Sequence, residues 1–68
     1  MPTTLELIQQ RESKIAAMQE AAKKADAARA KGESPAEYDA EFDRVEAEER
    51  ALSTQIAQQT RLDQIARE

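Results

Sequence analysis

The sequence contains no cysteine, no histidine and no tryptophan, so disulfides, His- or Cys-based zinc sites and Ser-His-Asp or Cys-His catalytic arrangements are all excluded. A single glycine leaves no Gly-rich loop to cradle a phosphate. Aromatic residues number two, Tyr38 and Phe42, too few for a base-stacking platform beside basic residues. No apolar run reaches the length of a membrane span or of a signal-peptide core. With 68 residues the chain has room for one small domain, spanning 1–68, and none for an enzyme pocket of useful size. No cofactor or metal is expected.

Large apolar side chains are also scarce. Of the 27 hydrophobic residues 14 are alanine, which leaves 13 large ones including Met1. Each contributes roughly 1.5–3 kcal/mol when fully buried, against about 1.5 kcal/mol lost per ordered residue. A monomer built from this sequence is therefore marginal, and association with other chains is expected to supplement it.

What the sequence does have is helix formers. Ala, Glu, Gln, Arg and Lys dominate, and almost nothing favours strands. Thr3 followed by Glu6 has the form of a capping box, so helix 1 is predicted from about residue 3. It is expected to end near Lys31, because Gly32 enters the left-handed C′ conformation without penalty. Ser34, Pro35 and Glu37 combine an N-cap, a proline at the first helical position and a glutamate at the third. Helix 2 is thus predicted over 35–68 after a turn at 32–34. No C-cap closes it, which reads as an arm or fragment of something longer.

Apolar spacing then gives each helix a face. On helix 1 the expected seam is Leu5, Ile8, Ile15, Met18, Ala22 and Ala25, interrupted at Arg11 or Glu12. On helix 2 it is Tyr38, Phe42, Val45, Leu52 and Ile56, broken once at Glu49, with Leu62 and Ile65 joining after a small phase shift. Both are narrow stripes of coiled-coil type.

Charge bears on how the two helices meet. Residues 1–33 carry six basic and five acidic side chains, residues 34–68 four and nine, and seven of those nine acids lie between Glu37 and Glu49. Folding back at Gly32 sets the basic end of helix 1 beside this acidic start, with Ala25 opposite Phe42, Ala22 opposite Val45, Ile15 opposite Leu52 and Leu5 opposite Leu62. The expected fold is accordingly an all-α antiparallel helical hairpin of two long helices, a small coiled coil. An open V whose seams are filled by neighbouring chains is the alternative.

The remaining clusters read as surface. Asp39, Asp43, Glu46 and Glu49 stand at helical spacing, but general acid–base work needs a desolvating pocket, and a solvated face biased to a helix N-terminal half is the expectation. Lys23, Lys24, Arg29 and Lys31 suit a helix C-terminus. The net charge of −4 argues against nucleic acid or an anionic membrane as partner.

The stretch Lys31-Gly32-Glu33-Ser34-Pro35-Ala36-Glu37, then Phe42-Asp43-Arg44-Val45-Glu46-Ala47-Glu48, then Leu52, Ile56 and Arg61-Leu62, resembles the N-terminal delta (scaffolding) domain of HK97-like tailed-phage major capsid proteins. The resemblance covers nearly the whole chain. It implies a segment that guides prohead assembly in the host cytoplasm, points into the immature virion and contacts neighbouring capsid subunits or further copies of itself as a homo-oligomer. The expected function is therefore non-enzymatic scaffolding through coiled-coil contacts. A small helical hairpin that inhibits or sequesters a protein partner is the alternative.

Overall fold

The structure, a computed structural model, describes residues 3–67. It consists of α1, Thr4–Ala30, and α2, Ala36–Arg67, 27 and 32 residues long. They pack on each other as an antiparallel hairpin, a rod with extents of 57 × 16 × 14 Å. The expected all-α hairpin is what forms. Each helix is slightly shorter than its sequence signals suggest, and the expected end at Glu68 lies outside the described residues.

Local chemistry sets the boundaries. Thr3 is extended (φ −73°, ψ 163°), and its hydroxyl oxygen accepts from the Glu6 N–H at 3.2 Å. Only this half of the capping box forms among the described residues. At the other end of α1, Gly32 adopts φ +75°, the one positive φ among the described residues. The Glu33 N–H donates to the Ala28 carbonyl at 2.8 Å and the Gly32 N–H to the Arg29 carbonyl at 3.1 Å. Those two bonds are the 6→1 and 5→2 pair of a Schellman ending, in which a left-handed glycine reverses the chain. A Cβ at Gly32 would meet no atom within 4 Å, so glycine is required there by conformation alone.

The start of α2 differs by one residue from expectation. Ser34 caps the chain through its hydroxyl, which accepts from the Ala36 N–H at 3.4 Å, while the Pro35 carbonyl takes the first helical bond, from the Asp39 N–H at 2.9 Å. Pro35 therefore stands just outside the helix. Glu37 is exposed and returns no bond to Ser34 among the described residues.

The buried side chains are Leu7, Ala21, Ala25 and Ala28 on α1 and Val45 and Leu52 on α2. On α1 they fall on the row 7, 11, 14, 18, 21, 25, 28, whose steps of four and three mark a coiled-coil seam. This differs from the expected stripe. Leu7 joins the seam, while Leu5 and Ile8 leave it, at 63 % and 36 % exposure. Ile15 and Met18 are half-buried, as is Ala22. On α2 the row 38, 42, 45, 49, 52, 56 continues through Gln59 to Asp63 without a shift, so Leu62 and Ile65 are exposed at 58 % and 57 %.

The turn end supplies the physical reason. Ala21, Ala25 and Ala28 are buried and present almost no side chain, so the face of α1 near the turn is smooth, and Tyr38 and Phe42 at the start of α2 are half-buried. Turning Ile15 or Ile8 inward would rotate that alanine row away. Across the hairpin Thr4 meets Asp63, Arg11 meets Glu49, Lys14 meets Glu48 and Arg29 meets Asp39. Tyr38 shares a shallow groove with Lys24, Ala27, Ala28, Lys31 and Glu33 at the turn end.

Candidate interaction surface

Among the described residues three ion pairs cross the hairpin, and in each the cation belongs to α1 and the carboxylate to α2. Near the turn Arg29 Nη2 lies 3.0 Å from Asp39 Oδ2 and 3.1 Å from Oδ1, while its Nη1 holds Asp26 at 3.2 Å. Midway, Lys14 Nζ meets Glu48 Oε1 at 3.1 Å and Arg11 Nε meets Glu49 Oε1 at 3.1 Å. The charge asymmetry of the sequence thus appears as orientation across the seam. Solvent-exposed pairs of this kind contribute about 0–1 kcal/mol each, so they select the antiparallel arrangement more than they stabilise it.

Of the interruptions in the apolar pattern, Arg11 or Glu12 on α1 and Glu49 on α2, the hairpin sets Arg11 against Glu49. Ser53, one turn further along α2, donates to the same Glu49 oxygen at 2.8 Å. The Ser53 hydroxyl foremost, then the hydrogen bond from Arg11, holds the Glu49 carboxyl below its ordinary value of 4.5; partial desolvation opposes them, and the Arg11 and Arg50 charges add to the lowering. A carboxylate whose folded pKa lies below its unfolded one contributes stability that is present above 4.5 and lost as the pH falls through the folded value. Glu49→Gln should therefore flatten the acid side of the stability profile. Urea midpoints at neutral pH and below 4.5 check this; a variant as acid-sensitive as the parent chain would show that other carboxylates carry the effect.

The other carboxylates singled out in the sequence are dispersed. Asp39 binds Arg29, Glu46 lies 3.3 Å from Arg50, and Asp43 is exposed. No three acidic groups among the described residues converge on a point that would hold a metal ion. Lys23, Lys24 and Lys31 are exposed along the end of α1.

The surface that stands out is the end away from Gly32. Val45 and Leu52 are buried within the hairpin, and Tyr38, Phe42 and Ile56 are half-buried beside them. Leu5, Ile8, Leu62 and Ile65 remain as large aliphatic side chains facing solvent. Gln58, Arg61, Leu62 and Ile65 line an open groove on α2. Across the junction Thr4 Oγ1 donates to Asp63 Oδ2 at 3.3 Å, and Gln59 Nε2 donates to Asp63 Oδ1 at 3.2 Å. Polar side chains therefore close this end of the seam while aliphatic ones face outward, the reverse of what a hairpin complete in itself would do.

Sequence reasoning placed all four aliphatics in the internal seam and omitted Leu7. The available signal was the strict four-three alternation running through Leu7, Met18, Ala21, Ala25 and Ala28, obscured because Arg11 and Lys14 occupy two of its positions. No described helix is long and apolar enough to cross a membrane. Neither a protein-family model, nor a curated protein, nor a solved structure matches this chain.

Proposed function

We propose that the chain is a non-enzymatic assembly module, a helical hairpin that joins further helical subunits through its open end. The observation that carries this reading is the exposure of Leu5, Ile8, Leu62 and Ile65 together at one end of a rod whose core, among the described residues, holds three large buried side chains, Leu7, Val45 and Leu52. A thin core benefits from any association that covers more apolar surface. The resemblance of the segments around Gly32 and Phe42-Asp43 to phage capsid delta domains supplies the context: scaffolding of the prohead, with neighbouring capsid subunits or further copies of the hairpin as partners.

Such a module is expected to show helicity that rises with protein concentration and a melting temperature that rises with it, read by circular dichroism. In a capsid protein that carries this segment, its deletion should leave a soluble shell domain that forms few or malformed proheads. A sharply cooperative monomer at every concentration would overturn the assembly reading, and normal particles from the deletion would overturn the scaffolding one.

A further inference from the structure

The aliphatic side chains of the open end form two patches, and these lie on opposite flanks of the hairpin. Ile8 belongs to the α1 row that continues at seven-residue steps through Ile15 and Ala22 to Arg29, and Arg29 reaches Asp39 across one flank. Leu62 belongs to the α2 row that passes through Gln55 and Glu48, and Glu48 meets Lys14 across the other flank. A heptad row keeps its side of a coiled coil along the whole length. Leu5 and Ile8 thus face away from Leu62 and Ile65.

The patches match in form and oppose each other in charge. Each is a pair of large aliphatics three residues apart, one helical turn on one face. Glu12 follows Ile8 by one turn on its side of α1, and Arg61 lines the groove that holds Leu62 and Ile65. An isologous contact would set Glu12 against Glu12 or Arg61 against Arg61 at the rim, whereas a contact between unlike patches sets opposite charges together.

We infer that a second copy of this chain covers the open end through unlike faces, its Leu62–Ile65 patch docking on Leu5–Ile8 of the first with Arg61 beside Glu12. This rests on the assembly reading and names its partner and its geometry. Since each copy retains one unused patch after docking, growth continues past the dimer to a ring or a filament.

The test uses the full 68-residue chain and two double variants, Leu5→Gln with Ile8→Gln and Leu62→Gln with Ile65→Gln, compared by sedimentation equilibrium. Glutamine is as good a helix former as leucine, and the altered positions are exposed, so helicity of the variant hairpins should persist. The parent chain should form species larger than a dimer. Each variant alone should associate at least about a hundredfold more weakly, having lost two aliphatic anchors. An equimolar mixture should restore association as a one-to-one complex that stops there, because each variant retains the patch its partner lacks. Either variant associating alone as well as the parent chain would overturn the unlike-face contact and leave the assembly reading standing, as would a mixture that stays monomeric while the parent chain associates. A parent chain that is monomeric throughout would remove both. Loss of helicity in either variant would show that these side chains hold the hairpin itself, which also overturns the proposal.

Discussion

Leu52→Asp should abolish the hairpin, while Leu62→Asp, ten residues further along the same helix, should leave it folded. Leu52 is one of the two buried side chains of α2 and sits on its seam, whereas Leu62 is more than half exposed. An unpaired carboxylate in an apolar seam costs several kcal/mol. Glu48 and Glu49, four and three residues back on the same helix, would add like-charge repulsion. A hairpin with three large buried side chains has no reserve against a loss of that size. At position 62 the new charge faces water, and the expected loss is confined to association. Far-ultraviolet circular dichroism at low concentration separates the two outcomes; equal loss of helicity in both variants would mean that the α2 seam does turn toward Leu62 at its end.

The second large effect lies on α1. Leu7→Ala should cost about 2–3 kcal/mol of stability, near the lower end of leucine truncations in cores, because Leu7 is only 4 % exposed. Leu5→Ala, two residues away, should change stability by no more than about 0.5 kcal/mol, as surface substitutions do. Leucine and alanine differ little in helix propensity, so the difference between the variants reports packing alone. Urea titration gives both values under the same conditions. A larger loss from Leu5→Ala than from Leu7→Ala would return the α1 seam to the stripe that the apolar spacing suggests.

That contrast marks what was legible in the residues and what was not. The two helices, the reversal at Gly32 and the capping roles of Thr3 and Ser34 follow from chemistry local to a few residues, and the structure realises them within one residue of expectation. The phase of the seams does not. Helix 1 carries two stripes that share Met18 and Ala25, and the one with more large residues is the one whose first members, Leu5 and Ile8, are left outside. The choice is made near the turn, where Ala21, Ala25 and Ala28 are the buried residues, and it propagates along the rod to positions where Arg11 and Lys14 must be accommodated by Glu49 and Glu48. A count of hydrophobic residues treats those four charged groups as interruptions, although across an antiparallel seam they are partners. Leu62 and Ile65 misled in the same way, since attention to their size hid the uninterrupted row through Gln59 and Asp63.

The gradient of burial along the rod has a consequence for how association would be felt. Beyond Gln59 every described residue of α2 is exposed, so the segment 60–67, about 12 Å of helix at 1.5 Å per residue, is held to α1 by the Thr4–Asp63 hydrogen bond. Amide protons there should exchange through low-energy fraying, while those near Ala25 and Val45 await opening of the whole structure. Any partner that grips Leu62 and Ile65 must first arrest that fraying, and the conformational entropy lost is subtracted from its affinity. Affinity then becomes a function of how readily the last turns of α2 coil up unaided, so temperature and changes in helix propensity at positions that touch no partner act as its controls.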